Sequence, residues 1–183
     1  MDTGRKILVC VTGSIAAYKA CELVRALVRD GHEVRVAMTP AACEFVTPLT
    51  FQTLSRNPVA VEQFAPPAAW KPEHVSLADW ADFVLVAPAS ANTIAKMRHG
   101  LADNLVTATL LAARAPIAVA PAMNDGMWDN PATRENLAAL RARGVAVFEP
   151  EEGDLACGTR GKGRMAEPET ILAGVLAALR NRS

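Results

Sequence analysis

The sequence predicts an α/β fold in three layers, a doubly wound and mostly parallel sheet with helices on both faces. Three observations predict it. Apolar runs of strand length alternate with amphipathic helical stretches along the whole chain, with no internal repeat and no linker. The strand-length runs are apolar at successive positions, as from Ile7 to Val11, which suits strands buried on both faces. The first run ends in Gly13-Ser14, a helix follows at once, and a second strand comes after it. Such a βαβ unit implies a right-handed crossover between parallel strands. Together these describe a sheet of the Rossmann or flavodoxin-like kind.

The first strand runs from Arg5 to Val11. From Ala16 to Arg29, residues Ala17, Ala20, Leu23, Val24, Leu27 and Val28 fall on one helical stripe, and Gly31 is the left-handed cap that ends the helix. Glu33 to Met38 is the second strand. Thr39-Pro40 opens a turn into two short helices, Ala41 to Phe45 and Pro48 to Leu54. Residues 55–73, with Pro58, Pro66, Pro67 and Pro72, read as a surface loop with room for a short strand. His74 to Leu77 leads into one helical turn, Ala78 to Ala81. Asp82 to Ala87 is a strand, Pro88 to Thr93 a turn, and a helix follows to Arg98, ended by His99-Gly100. Asp103 to Arg114 is a helix apolar nearly all round, which belongs either at the centre of the core or between subunits; we favour a subunit contact. Pro116 to Ala120 is a strand that runs into Pro121-Ala-Met-Asn-Asp-Gly-Met-Trp128. Asn130 to Arg143 is a helix with Pro131 in its first turn, and Val145 to Phe148 is the last strand. Residues 149–166 are rich in glycine and charge and too polar for core. Glu167 to Arg180 is an amphipathic helix with Ile171, Leu172, Val175, Leu176 and Leu179 inward.

At 183 residues the chain reads as one domain, 1–183, large enough to fold without disulfides. Lys plus Arg is 19 and Asp plus Glu is 19, a balance that argues against a nucleic-acid or membrane-surface partner. The four cysteines have no metal-ligand spacing, and Cys10, Cys21 and Cys43 read as small core residues. There is no signal-peptide pattern and no apolar run of the ~20 residues that span a bilayer, so a soluble cytoplasmic protein is expected.

Candidate chemistry gathers at the strand ends. Gly13-Ser14 stands between a strand and a helix N-terminus, where amides and the Ser14 hydroxyl would hold a phosphomonoester; Thr39 is a second donor. The alternative is a turn kept for its geometry. The full G-x-G-x-x-G fingerprint is absent and so is a P-loop lysine, which favours a mononucleotide over dinucleotides or ATP. Ser90, Asn92 and Thr93 follow a strand. One of them suffices as a helix cap, which leaves a ligand role for the others. Asn124 stands in the mixed segment after the Pro116–Ala120 strand, with a turn or cap as its alternative; Met123, Met127 and Trp128 read as packing. His74 has the alternative of an ordinary surface-loop residue, and His32 and His99 sit beside helix-ending glycines. Cys157 differs from the other cysteines because it lies among glycines and the cations Arg160, Lys162 and Arg164, which favour its thiolate. A flap of this composition, at about 149–166, suits closure over a substrate.

Six stretches, namely Gly13-Ser-Ile-Ala-Ala-Tyr-Lys19, His74, Pro88-Ala-Ser-Ala-Asn-Thr93, Gly100-Leu-Ala-Asp-Asn-Leu105, Pro121 to Trp128, and Ala156-Cys-Gly with Gly163-Arg-Met165, resemble the homo-oligomeric flavin-containing cysteine decarboxylases. The resemblance covers nearly the whole chain in order, and its best match is to members acting on 4′-phosphopantothenoylcysteine. It implies FMN as cofactor, 4′-phosphopantetheine as product and a carboxy-lyase of coenzyme A biosynthesis. Decarboxylating a cysteine amide needs an electron sink, which the flavin would provide. The resemblance implies that Gly13, Ser14, Ile15 and Thr39 meet the FMN phosphate and that Ser90, Ala91, Asn92, Thr93 and Ala122 contact the flavin. It implies His74 as base or orienting group, Asn124 on the substrate carboxylate, and Cys157 as proton donor of the reductive half. Ala156, Gly158 and Met165 would flank the substrate in the flap, and charge alone nominates Arg160, Lys162 and Arg164 for its phosphate. It further implies a homotrimer, or a dodecamer of trimers, with the flavin between subunits. This chain stops after the decarboxylase-like helix, so the synthetase to which many bacterial members are fused would be a separate protein, or this chain is a piece of a longer one. Asn104 stands where Asp is frequent in the family. The nearest alternative is a peptidyl-cysteine oxidative decarboxylase, and the next a non-catalytic regulatory flavoprotein. A flavin prenyltransferase fits the Pro121 to Trp128 stretch worst.

Overall fold

The computed structural model describes residues 4–64, 70–156 and 158–180. In chain order the elements are β1 (Lys6–Val11), α1 (Ala17–Arg29), β2 (Glu33–Met38), α2 (Pro40–Cys43), α3 (Pro48–Ser55), β3 (Val59–Ala60), α4 (Glu73–Trp80), β4 (Phe83–Ala89), α5 (Ala91–His99) and α6 (Leu105–Ala112). There follow β5 (Ile117–Pro121), α7 (Asp125–Asp129), α8 (Pro131–Ala142), β6 (Ala146–Val147), β7 (Glu151–Asp154), β8 (Arg160–Arg164) and α9 (Pro168–Arg180).

Six strands form one sheet in the order β3-β2-β1-β4-β5-β6, and every pairing in it is parallel. The central strands owe their place to sequence. Along β1 the side chains of Ile7, Val9 and Val11 enter the core with α1 and α9, while those of Leu8 and Cys10 enter the core with α4, α6 and α8. A strand alternates faces at every residue, so only a run apolar at successive positions satisfies two helical layers at once. Each fully buried aliphatic side chain contributes roughly 1.5–3 kcal/mol, which makes this two-sided core the main stabilising feature.

Four expectations change. His74 lies in the first turn of a two-turn helix, α4, rather than in a lead-in to one turn. Pro88 and Ala89 belong to β4, where Ala89 pairs with Pro121 after a register shift. The apolar helix is shorter than 103–114: Asn104 caps α6 through a reciprocal pair of bonds with Thr107, and the helix ends at Ala112. Leu105, Val106, Ala108 and Leu110 are buried within this chain, so most of α6 packs into its own core. Its neighbour Leu111 alone of its large apolar side chains is exposed. Finally, residues 149–166 contain an antiparallel hairpin, β7–β8, with a shifted register between Glu151 and Glu152. Its strands consist of charged residues and glycine, a composition that carries no apolar period from which a strand is read.

Candidate active site

The strand order reverses between β1 and β4. From there the chain winds outward through β2 and β3 on one side and β5 and β6 on the other, which opens a crevice at the strands' C-terminal ends. Thr12, directly after β1, bridges that crevice. Its Oγ1 donates to the Pro88 carbonyl at 2.7 Å and accepts the Ser90 amide at 2.9 Å. The turn leaving β1 and the turn leaving β4 are thereby fixed to each other.

A cavity of about 690 Å³ occupies this crevice, within the roughly 300–1,000 Å³ typical of small-molecule sites. Gly13, Ser14 and Ile15 line it from the β1–α1 turn, and Ser90 and Ala91 from the start of α5. Ala122, Met123, Asn124 and Met127 form a largely apolar wall after β5. The hairpin adds Asp154, Leu155 and Ala156 from one leg and Gly163, Arg164 and Met165 from the other.

The end of the cavity at α1 suits an anion. The first turn of α1 holds no acidic residue, and its N-cap Ala16 has no side chain to occupy the helix amides. Gly13 packs so closely on α2 that an added Cβ would stand 2.7 Å from the Ala41 Cβ. Only glycine lets the turn lie this low. At the other turn Ser90 caps α5: its Oγ accepts the Thr93 amide at 3.3 Å and donates to Thr93 Oγ1 at 3.1 Å. Asn124 caps α7, its Oδ1 accepting the Gly126 amide at 2.9 Å, and its side chain still lines the cavity.

The hairpin is seated, not loose. The Met123 amide donates to the Gly163 carbonyl at 3.0 Å. A Cβ on Gly163 would stand 2.2 Å from the Met123 carbonyl oxygen, and one on Gly161 would stand 2.7 Å from Asp125 Cβ. These glycines let β8 lie directly on the start of α7. At the tip the Leu155 amide donates to the Thr159 carbonyl at 2.8 Å, and Gly158 adopts a positive φ of 85°. That glycine is needed for the turn.

Several nominated residues stand elsewhere. Thr39 is buried and caps α2, its Oγ1 accepting the Ala42 amide at 3.2 Å. Thr93 is buried in the α5 cap, and Asn92 is exposed; neither lines the cavity. The caps thus use two of the three polar groups after β4, Ser90 and Thr93, where one was expected to suffice. Arg160, Lys162 and Gly158 lie outside the cavity lining. The Lys162 Nζ stands 5.6 Å from the Trp128 ring centre and 3.6 Å from the Glu149 carboxylate. Cys157 lies outside the described residues. His74 does not line this chain's cavity. A helix preceding a parallel strand runs back along it, so the first turn of α4 lies at the same sheet edge as the cavity. The His74 Nδ1 is buried there without a hydrogen-bond partner among the described residues. Such an atom in a native protein calls for a reason.

Sequence reasoning missed Thr12, Tyr18, Lys19, Asp154 and Leu155, and it took Met123 and Met127 for packing. The signal for Thr12 was available, a hydroxyl closing an apolar strand just before Gly13. Nothing local marks Asp154 and Leu155, because their place depends on hairpin pairing. The other cysteines are quiet: burial pushes the Cys10 thiol up to about 12, and desolvation raises Cys21 and Cys43.

A parallel sheet with a switch-point cavity, amide-lined at one end and apolar along one wall, defines a nucleotide-type α/β protein. The chain belongs to the Flavoprotein family, whose model matches residues 1–180. It is 51% identical over 172 residues to the coenzyme A biosynthesis bifunctional protein CoaBC of Bacillus subtilis, a match covering 94% of this chain and 42% of that protein. The chain therefore spans less than half the length of that relative. Among solved structures it is similar to a PPC decarboxylase mutant complexed with pantothenoylaminoethenethiol, at 32% identity and a TM-score of 0.87, covering 97% of this chain and 99% of that one. It is also similar to the FMN binding protein AtHal3, at 33% identity and a TM-score of 0.85, covering 98% of both chains. The cofactor is a flavin. The site fits one: the uncapped α1 end meets the needs of a phosphate, and the Ala122–Met123–Met127 wall those of a planar ring.

Proposed function

We propose that this chain decarboxylates 4′-phosphopantothenoylcysteine to 4′-phosphopantetheine, with FMN as its flavin, for coenzyme A synthesis. The observation that carries the proposal is the convergence on one cavity of the Gly13–Ile15 turn, the segment after β5 and the β7–β8 hairpin. These are three of the stretches on which the family resemblance rests. The similarity to the CoaBC protein and to the PPC decarboxylase supports it.

The chemistry that bound FMN would supply is a two-electron sink for the substrate thiol and the return of those electrons after carbon dioxide has left. The chain's residues do the rest. The Gly13–Ile15 amides hold the cofactor phosphate, and Ser90, Ala91 and Ala122 flank the ring. Asn124 orients the substrate carboxylate, its side chain held by the bond that Oδ1 accepts from the Gly126 amide. The hairpin residues Asp154 to Ala156 cover the substrate and exclude water. Cys157, the next residue in sequence, returns the proton to carbon. Arg164 is the one nominated cation that lines the cavity, so the substrate phosphate is assigned to it ahead of Arg160 and Lys162.

His74 enters from a second copy in this proposal. What supports a homo-oligomer is that His74 stands outside its own chain's cavity, with no hydrogen-bond partner for Nδ1 among the described residues. Exposed Ile15, Tyr18 and Met127 line the same cavity and offer apolar surface to a neighbouring copy. The test is incubation of the FMN-loaded protein with phosphopantothenoylcysteine and mass spectrometry of the products. Saturated 4′-phosphopantetheine is expected. Accumulated enethiol would assign the chain to the oxidative, peptide-type class, and no turnover would refute the decarboxylase assignment.

A further inference from the structure

Lys19 is the only charged side chain among the described residues that is buried. Burying an ammonium costs several kcal/mol unless it is paired. Here the Nζ donates to the Glu167 carboxylate at 2.9 Å and to the Met165 carbonyl at 3.3 Å. Both acceptors lie just past the end of β8. The same Glu167 carboxylate pairs with Arg164, the last residue of β8, and the Glu167 amide donates to Glu151, the first residue of β7, at 3.2 Å. One glutamate therefore gathers both legs of the hairpin at their base, and one buried lysine ties that glutamate to α1. This helix carries the Gly13–Ile15 turn at its N-terminus.

We infer that Lys19 is a positioning residue for the reaction: through Glu167 it clamps the base of the β7–β8 hairpin to the helix that carries the phosphate end of the site. The clamp fixes where Asp154 to Ala156 stand over the cavity. Tip and turn then hold one spacing, set across the cavity by a pair more than 140 residues apart in sequence. The second hairpin anchor, the Met123–Gly163 bond, fixes β8 beside the start of α7, and β7 is held there only through its pairing with β8. With Lys19 in place, the base of β7 is held as well, through Glu151.

The test is hydrogen exchange on the purified flavin-loaded protein, without substrate, for wild type, Lys19→Met, Lys19→Arg and Glu167→Gln. Lys19→Met and Glu167→Gln each raise exchange of the hairpin amides by about tenfold or more while amides of β1 and β4 stay within about twofold. Lys19→Arg keeps the charge and restores hairpin protection. Unchanged hairpin exchange in both variants overturns the clamp, and so does a rise shared equally by β1 and β4. If Lys19→Met does not fold, Glu167→Gln decides alone. The positioning role itself rests on the decarboxylase proposal. With phosphopantothenoylcysteine, KM rises by about tenfold and kcat falls by less than about threefold; an unchanged KM in a variant with a loosened hairpin overturns that role. The exchange arm needs no turnover, so its failure is distinct from failure of the decarboxylase assignment.

Discussion

The β1–α1 turn and the β7–β8 hairpin face each other across one cavity, and they are held by different forces. The turn stands on strands that are buried on both faces, and Thr12 joins it to the β4 end through two bonds, one of them wholly buried. The hairpin has no apolar core of its own. Its strands are charged or glycine, and its place depends on one backbone bond, two close glycine contacts and ion pairs converging on Glu167. A site divided this way has a rigid cofactor end and a substrate cover of low local stability. Elements that open and close are drawn from that low-stability end.

The comparison breaks first at Thr12. Thr12→Val strips the Pro88 carbonyl and the Ser90 amide of their partner at once, and each buried unsatisfied group costs about 1–3 kcal/mol. A fall of about 2–4 kcal/mol in urea unfolding is expected, with weaker FMN binding read by flavin fluorescence. Loss of neither would remove Thr12 from the rigid half. Next comes Gly163→Ala, whose Cβ meets the Met123 carbonyl oxygen at 2.2 Å. Overpacking of this kind costs about 1–3 kcal/mol, but here the hairpin lifts off before the core yields. Limited proteolysis should cut within 151–164 while the urea midpoint moves little; a matched loss of global stability would show that hairpin and platform are one unit.

The smallest effect is on pH. Hydrogen bonding to Lys19, then to Arg164, holds the Glu167 carboxyl below its ordinary value. A depressed carboxylate stabilises above the unfolded value, about 4.3, and that contribution is lost as pH falls through the lower folded value. Lys19, Arg164 and Glu151 face Glu167. Hairpin protection should therefore be flat from pH 7 to about 5 and decline below about pH 4.3, and Glu167→Gln should flatten the decline. An unaltered decline in that variant would assign the titration to other carboxylates.

Much of the rigid half was legible in the sequence. Ile7 to Val11 admits only a strand buried on both faces, Gly13-Ser14 marks the turn, and Gly31 and Gly100 end their helices at positive φ as glycines do. The cavity does receive Gly13, Ser14, Ile15, Ser90, Ala91, Ala122 and Asn124. The hairpin was not legible as strands, because Glu-Glu-Gly-Asp and Arg-Gly-Lys-Gly-Arg carry no apolar alternation. The apolar helix α6 was ambiguous for the opposite reason. A helix apolar all round is buried, but periodicity cannot say whether its own chain or another covers it.

Local sequence by itself determined the βαβ alternation, the glycine turns and the residue types at the strand ends, because strand and helix periods and backbone sterics act over a few residues. Only the tertiary structure decided which of those ends share a cavity. It set the reversal of strand order between β1 and β4, which brings Gly13 beside Ser90, and the folding of β8 onto α7. It also set the burial of Lys19 against Glu167 and the position of His74 outside its own chain's cavity. Each of these is a long-range arrangement that no window of sequence contains, and Lys19 with Glu167 shows a buried charge finding its partner only once the sheet is closed.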